Sequence, residues 1–171
     1  MPMQKTSIVL KVNIFVQLLG LLLNIIGYCT NHIGDFEDVL YVGLWKLCAL
    51  DDECLDINDE KEISIAWAYA ARVFLGICLT GQSLVILLTL SALVIKRNKF
   101  VGLCTAGLAF FSVLFGAIGI AVAAGEIKRL FLPSKQYSFS VGWSFDLVIS
   151  SLVMFLVAGF LSVVETRRSA R

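Results

Sequence analysis

Four long apolar blocks restrict the fold of this chain more than any other feature. They cover about residues 8–29, 65–95, 101–124 and 141–164. Each is long enough to cross the roughly 30 Å hydrocarbon core of a bilayer as a helix of about 20 residues. Because that layer contains no water, each block must satisfy its own backbone hydrogen bonds, which a helix does. The chain is therefore predicted to be an all-α membrane protein, a single four-transmembrane-helix bundle over residues 1–171.

A soluble four-helix bundle is the alternative fold, and the composition argues against it. Apolar residues make up 58% of the chain and charged residues 16%. In a typical soluble domain about half of the residues are apolar and about a quarter are charged. The blocks also lack the polar faces that the helices of a soluble bundle need.

Charged residues at the ends of the blocks and between them predict how the helices are oriented. The termini and the link between the second and third blocks carry one acid, Glu165, and eight bases. These bases are Lys5, Lys11, Lys96, Arg97, Lys99, Arg167, Arg168 and Arg171. The segments of about 30–64 and 125–140 hold most of the acids. Because positively charged loops stay in the cytosol, both termini are predicted to be cytosolic and these two segments to be outer loops.

The first outer loop contains two nearby cysteines, Cys48 and Cys54. Outside the cytosol, where conditions are oxidising, such a pair is expected to form a disulfide. A metal site is the alternative, but the lone His32 and the non-repeating acids do not suit zinc. Partial alternation of apolar and polar residues predicts a hairpin of residues 41–48 against 54–57. The disulfide would pin this hairpin into a small extracellular β-sheet, and the oppositely charged second loop is expected to dock on the first.

Several polar residues fall inside the predicted membrane segments. Arg72, near the start of the second helix, is expected either to extend its charge toward the headgroups or to form an intramembrane ion pair with Asp146. The amides of Asn13, Gln17 and Asn24 in the first helix are expected to bond to neighbouring helices. A polar pathway through the membrane is the alternative function for these amides.

The third block is rich in small residues at a spacing of four. The pairs are Gly102 and Ala106, Ala117 and Ala121, and Gly119 and Ala123. Small residues at this spacing let two helices approach closely, either inside the bundle or between two copies of the chain. Cys104 in the same block is expected to be a packed thiol, with acylation as the alternative.

No arrangement of residues in the sequence indicates catalysis. The chain has one histidine, no Gly-rich phosphate loop and no cytosolic segment large enough to hold an active site. We therefore expect it not to be an enzyme and to have neither a cofactor nor a bound metal. Its basic residues follow the positive-inside rule and suit the lipid bilayer, and they do not indicate a nucleic-acid partner.

The first outer loop carries the residues of a known signature. Gly43, Leu44 and Trp45 precede Cys48 and Cys54. Together with the four-helix topology, this segment resembles the superfamily of claudins, epithelial membrane proteins, peripheral myelin protein and calcium-channel gamma subunits. Two further similarities are Ala70-Ala71-Arg72 at the start of the second helix and Tyr137-Ser138-Phe139, Trp143, Gly159 and Arg167-Arg168 around the fourth.

The sequence also departs from the claudin pattern. The two cysteines are closer together, the first outer loop is shorter, and Phe36 is the nearest match to an early tryptophan. The end of the chain, Ser169-Ala170-Arg171, lacks the hydrophobic terminus that binds scaffold domains in junctional claudins. The resemblance does not separate the claudin branch from the epithelial-membrane-protein branch.

The resemblance implies a structural protein of cell–cell contacts in the plasma membrane, at cell junctions. It would associate with copies of itself or with related claudin-like proteins, and limit or select paracellular passage. Asp51, Asp52 and Glu53 would then make a passage prefer cations, or would simply solvate an exposed turn. The alternative function is an auxiliary subunit that modulates the trafficking or gating of an ion channel or receptor. A transporter has little support, because the sequence shows no buried acid pair and no broken helix.

Overall fold

The fold is dominated by four long helices. The computed structural model describes residues 8–30, 32, 34–36, 40–49, 54–56, 66–94, 99–131 and 139–168. The helices are α1 (Ile8–Cys29), α2 (Ala66–Val94), α3 (Lys99–Phe131) and α4 (Trp143–Arg168). All four are long and apolar enough to cross a membrane. The prediction of a multi-pass membrane protein with four spanning helices is confirmed.

Helix α3 is longer than its apolar block. The block ends near residue 124, whereas the helix continues to Phe131, so the second loop begins later than predicted. Ile127 remains fully buried against the helix bundle. One turn of helix there carries an ion pair between Arg129 and Glu126, at 3.6 Å. The helix thus extends beyond the apolar pattern because packing and an ion pair at i, i+3 spacing continue to support it.

The helices pack in a ring, with α1 mainly against α4 and α2 mainly against α3. Large apolar side chains such as Phe15, Leu114 and Phe160 are exposed on the outside of this ring. The interior contains small residues, polar side chains and a few large apolar ones, including the fully buried Phe155. This inverted distribution is suited to a lipid environment, where apolar surface has no need to be hidden.

Five short strands form one antiparallel sheet at one end of the bundle. They are β1 (Gly34–Phe36), β2 (Leu40–Val42), β3 (Lys46–Ala49), β4 (Cys54–Asp56) and β5 (Phe139–Val141). Their order is β4-β3-β2-β1-β5. Strand β5 comes from the segment before α4 and pairs with β1. The two loops therefore share a sheet through backbone pairing, whereas the sequence predicted that they would dock through opposite charges.

The predicted disulfide is confirmed. Cys48 and Cys54 are bonded to each other and lie directly opposite in the paired strands β3 and β4. The predicted single strand over residues 41–48 is wrong, because Tyr41 and Cys48 lie in different strands and pair with each other. The chain turns between them, where the Gly43 N–H donates a hydrogen bond of 2.9 Å to the Lys46 carbonyl.

Removing the disulfide should destabilise the protein. We expect the double variant Cys48→Ser and Cys54→Ser to lose about 2–3 kcal/mol of unfolding free energy, because the bond restricts the unfolded loop. Chemical denaturation in mild detergent under non-reducing conditions measures the loss. Cys104→Ser, at an exposed free cysteine in α3, is the matched control and should leave stability unchanged. Equal stability of both variants would contradict the prediction.

Candidate functional site

The signature residues Gly43, Leu44 and Trp45 form the turn between β2 and β3, which we call the anchoring turn. Its hydrogen bond between Gly43 and Lys46 closes the β2–β3 connection. Leu44 is only 1% exposed and belongs to an apolar cluster with Leu75 of α2 and Val148 of α4. The turn thus inserts an apolar side chain into the end of the helix bundle.

Arg72 of α2 holds the anchoring turn from the bundle side. Its Nε and Nη2 atoms donate hydrogen bonds to the Leu44 carbonyl oxygen, at 2.9 and 2.7 Å. Its guanidinium lies 4.6 Å from the centre of the Trp45 ring and 5.3 Å from that of Tyr69. A guanidinium can donate two bonds in its plane while its flat face stacks on a ring, whereas the ammonium of lysine has neither the planar fork nor a flat face.

The structure does not bring Arg72 and Asp146 together. Arg72 is buried, at 8% exposure, and its guanidinium contacts the anchoring turn. Asp146 is exposed in the first turn of α4, and no ion pair joins these two described residues. The interaction proposed for Arg72 is therefore replaced by one with a carbonyl oxygen and an aromatic ring, a partner that hydropathy and charge do not indicate.

Trp45 connects the anchoring turn to α1. Its Nε1 donates a hydrogen bond of 2.9 Å to the Tyr28 carbonyl oxygen. The Tyr28 and Trp45 rings meet edge to face, with their centres 5.5 Å apart. The Tyr28 hydroxyl also lies 3.5 Å from the Arg72 carbonyl oxygen. The turn is thereby fixed to the adjacent ends of α1 and α2 by aromatic and hydrogen-bond contacts.

A second junction, which sequence analysis missed, connects the end of α1 to the start of α4. The hydroxyl oxygens of Thr30 and Ser144 lie 2.7 Å apart. The His32 N–H donates to Ser144 Oγ at 3.2 Å, and the Ser144 N–H donates to the His32 carbonyl at 3.1 Å. No local signal in the sequence indicates this role, because Ser144 lies inside α4 and bonds residues more than 100 positions away instead of capping its own helix.

The buried face of α1 consists only of polar residues and glycine, and we call it the polar face. It comprises Asn13, Gln17, Gly20, Asn24 and Gly27. Asn13 Nδ2 donates to Ser162 Oγ of α4 at 3.0 Å. Asn24 Nδ2 donates to Gln82 Oε1 of α2 at 2.7 Å. The prediction that these amides bond to neighbouring helices is confirmed for Asn13 and Asn24.

The small residues of α3 divide into two groups. Ala106, Gly119 and Ala123 are buried and serve the packing of the bundle, whereas Ala117 and Ala121 are exposed. Cys104 is also exposed, so it is not the packed thiol that was expected by default. Self-association through the exposed group and acylation of Cys104 both stay predictions. The acidic residues Asp51, Asp52 and Glu53 lie outside the described residues.

The anchoring turn, its contacts to α1 and α2, and the shared sheet define a class of molecule. It is a multi-pass membrane protein whose two loops on one side of the bundle form a single disulfide-bonded sheet. Comparison with protein-family models and with curated proteins finds no match to this chain.

Proposed function

We propose that this chain is a claudin-like structural protein of cell–cell contacts. In this proposal it lies in the plasma membrane at cell junctions, with both termini in the cytosol and the sheet outside. It associates laterally with copies of itself or related proteins, and across membranes with a neighbouring cell, and so limits or selects paracellular passage. Its role is structural, and catalysis has no part in it.

The attachment of the sheet to the bundle is the observation that carries this proposal. A loop that makes contacts between cells must hold its shape while it bears load from outside. Here the anchoring turn contacts α2 through Arg72 and α1 through Tyr28. The second junction adds Ser144 of α4. Contacts to three helices support a platform whose position is set by the membrane-spanning bundle.

Localisation in mixed cultures tests the proposal. A tagged copy is expressed in cells that lack junctions, and these cells are grown together with non-expressing cells. We expect the protein to be enriched where two expressing cells touch, because both membranes then present the sheet. Uniform surface staining, or equal enrichment where an expressing cell meets a non-expressing one, would overturn the homophilic contact.

If the protein lines a paracellular passage, we expect the passage to prefer cations. Carboxylates in a narrow aqueous gap concentrate cations and exclude anions. The triple variant Asp51→Asn, Asp52→Asn and Glu53→Gln should lower the ratio of sodium to chloride permeability. Dilution potentials across an expressing cell layer measure this ratio. Arg129→Gln, at a largely exposed charge on α3, is the control and should not lower the ratio. An unchanged ratio in the triple variant would contradict the prediction.

An auxiliary subunit of a channel or receptor is the second candidate function, and one observation favours it. Ala117 and Ala121 expose a small-residue face on α3, and a Cβ added at Gly107 or Gly125 would meet no atom within 4 Å. A partner helix could approach α3 closely at these positions. Purification of the chain from expressing membranes together with a large channel in a fixed ratio would favour this function over the contact protein.

A further inference from the structure

Asn24 is fully buried in the bundle, yet part of its amide has no partner. The side chain is 1% exposed. Its Nδ2 donates to Gln82 Oε1, but its Oδ1 accepts no hydrogen bond from the described part of the chain. Buried polar atoms in native proteins are nearly always hydrogen-bonded to protein or to ordered water. The Asn24 Oδ1 atom is therefore expected to accept a hydrogen bond from a molecule other than this part of the chain.

Exchanging oxygen and nitrogen in the amides does not remove the unpartnered group. Gln82 Nε2 donates to Ser151 Oγ at 3.2 Å, so the two amides and the hydroxyl form a chain. If both amides rotate, Gln82 donates to Asn24 and Ser151 donates to Gln82, which reverses every bond in the chain. The Asn24 nitrogen then occupies the position of the unpartnered oxygen. One polar atom of Asn24 faces that position in either orientation.

Gln17 repeats this arrangement along the polar face of α1. Its Nε2 donates to Asn13 Oδ1 at 3.2 Å, and its Oε1 has no partner in the described residues. Between the two amides, a Cβ added at Gly20 would lie 3.0 Å from the ring of Phe155, which is fully buried. The recurrence shows that the unpartnered amide is a feature of this helix face, not of one side-chain rotamer.

We propose that Asn24 binds a water molecule in the membrane-embedded core, at the position that its unpartnered amide atom faces. Water suits the site because it can donate to an oxygen or accept from a nitrogen, so it fits both amide orientations. A cation would fit only the oxygen. The side chains that bond to Asn24, those of Gln82 and Cys78, are neutral, as is Ser151 beyond them, and a charge without a counter-charge is unfavourable there.

Cys78 is a reporter for this water. Its Sγ lies 3.6 Å from Asn24 Nδ2, which shares one amide group with the unpartnered Oδ1, and its side chain is fully buried. X-ray radiolysis converts water to hydroxyl radicals, which react with side chains next to the water from which they form. We therefore expect Cys78 to be oxidised when the intact protein is irradiated in lipid nanodiscs, despite its burial. Mass spectrometry of the peptides, compared with an unirradiated sample, gives the extent of oxidation.

Two variants separate a bound water from radicals that reach Cys78 by other routes. Asn24→Leu should abolish the oxidation of Cys78, because the site no longer binds water. Ile25→Leu, on the exposed face of the same helix, is the matched control and should leave it unchanged. An unmodified Cys78 in the wild-type protein would overturn the proposal, and this result needs no variant to fold. Equal oxidation in wild type and Asn24→Leu would overturn it as well.

Discussion

Replacing Arg72 with methionine should lower the free energy of unfolding by about 2–4 kcal/mol, because the buried Leu44 carbonyl oxygen loses two hydrogen bonds from the guanidinium and the Trp45 ring loses its cation. The variant loses both hydrogen bonds to the Leu44 oxygen and the stacking on Trp45. It also leaves that buried carbonyl without these donors. Chemical denaturation in mild detergent gives the change in free energy, and protease sensitivity of the loops shows whether the sheet has separated from the bundle.

Two arginine variants serve as controls for this prediction. Arg72→Lys keeps the charge but cannot donate in the same forked geometry, so it should recover only part of the lost stability. Arg129→Met removes an arginine whose side chain is 81% exposed, and a surface ion pair contributes about 1 kcal/mol or less. If Arg72→Met is no less stable than Arg129→Met, the anchoring role of Arg72 is wrong.

Gly27→Ala should destabilise the protein, whereas Gly107→Ala should leave its stability unchanged or slightly raise it. A Cβ at Gly27 would lie 2.7 Å from Val148 Cγ2 and 2.8 Å from the backbone oxygen of Ser144. Because the backbone cannot turn aside as a side-chain tip can, α1 and α4 must separate, at an expected cost of about 1–3 kcal/mol. A Cβ at Gly107 would meet nothing within 4 Å. Alanine there should be neutral or stabilise the helix by up to about 1 kcal/mol.

The same denaturation experiment on both glycine variants provides the comparison. Both substitutions add one methyl group to a glycine in a spanning helix, so their intrinsic helix propensities cancel. A stability of Gly27→Ala equal to that of Gly107→Ala would mean that α1 and α4 are not in close contact at this position. A selective loss for Gly27→Ala would mean that α1 and α4 are closely packed next to the second junction, since Ser144 supplies one of the two contacts under 3 Å.

The helices and the disulfide could be predicted because each depends on a local property of the sequence. Twenty apolar residues in a bilayer leave the backbone little choice except helix. Cys48 and Cys54 are close in sequence, so one hairpin brings them together. A family resemblance identified the signature residues Gly43, Leu44, Trp45 and Arg72. It did not indicate which of their atoms are in contact.

The features that the sequence did not predict are the partner of Arg72, strand β5 and the end of α3. The first two depend on contacts between segments that are distant in the sequence. The Leu44 carbonyl is a backbone group, which any residue provides, so no residue type indicated it as the partner of Arg72. Strand β5 is only three residues long. Its alternation of apolar and polar residues is too short to indicate a strand, and its pairing partner β1 is distant in the sequence. The end of α3 was missed for a related reason. Hydropathy measures the fit to lipid, whereas Ile127 and the Arg129–Glu126 pair support helix after the apolar block ends.

The pairing of β1 with β5 has a consequence for chimaeras. The two strands are held together by backbone hydrogen bonds, although about a hundred residues and two membrane crossings separate them. If only the first loop is exchanged with that of another protein, a foreign β1 must pair with the original β5. If only the second loop is exchanged, the original β1 must pair with a foreign β5. The two loops therefore form one structural unit, and a chimaera keeps the sheet intact only if both loops are exchanged together.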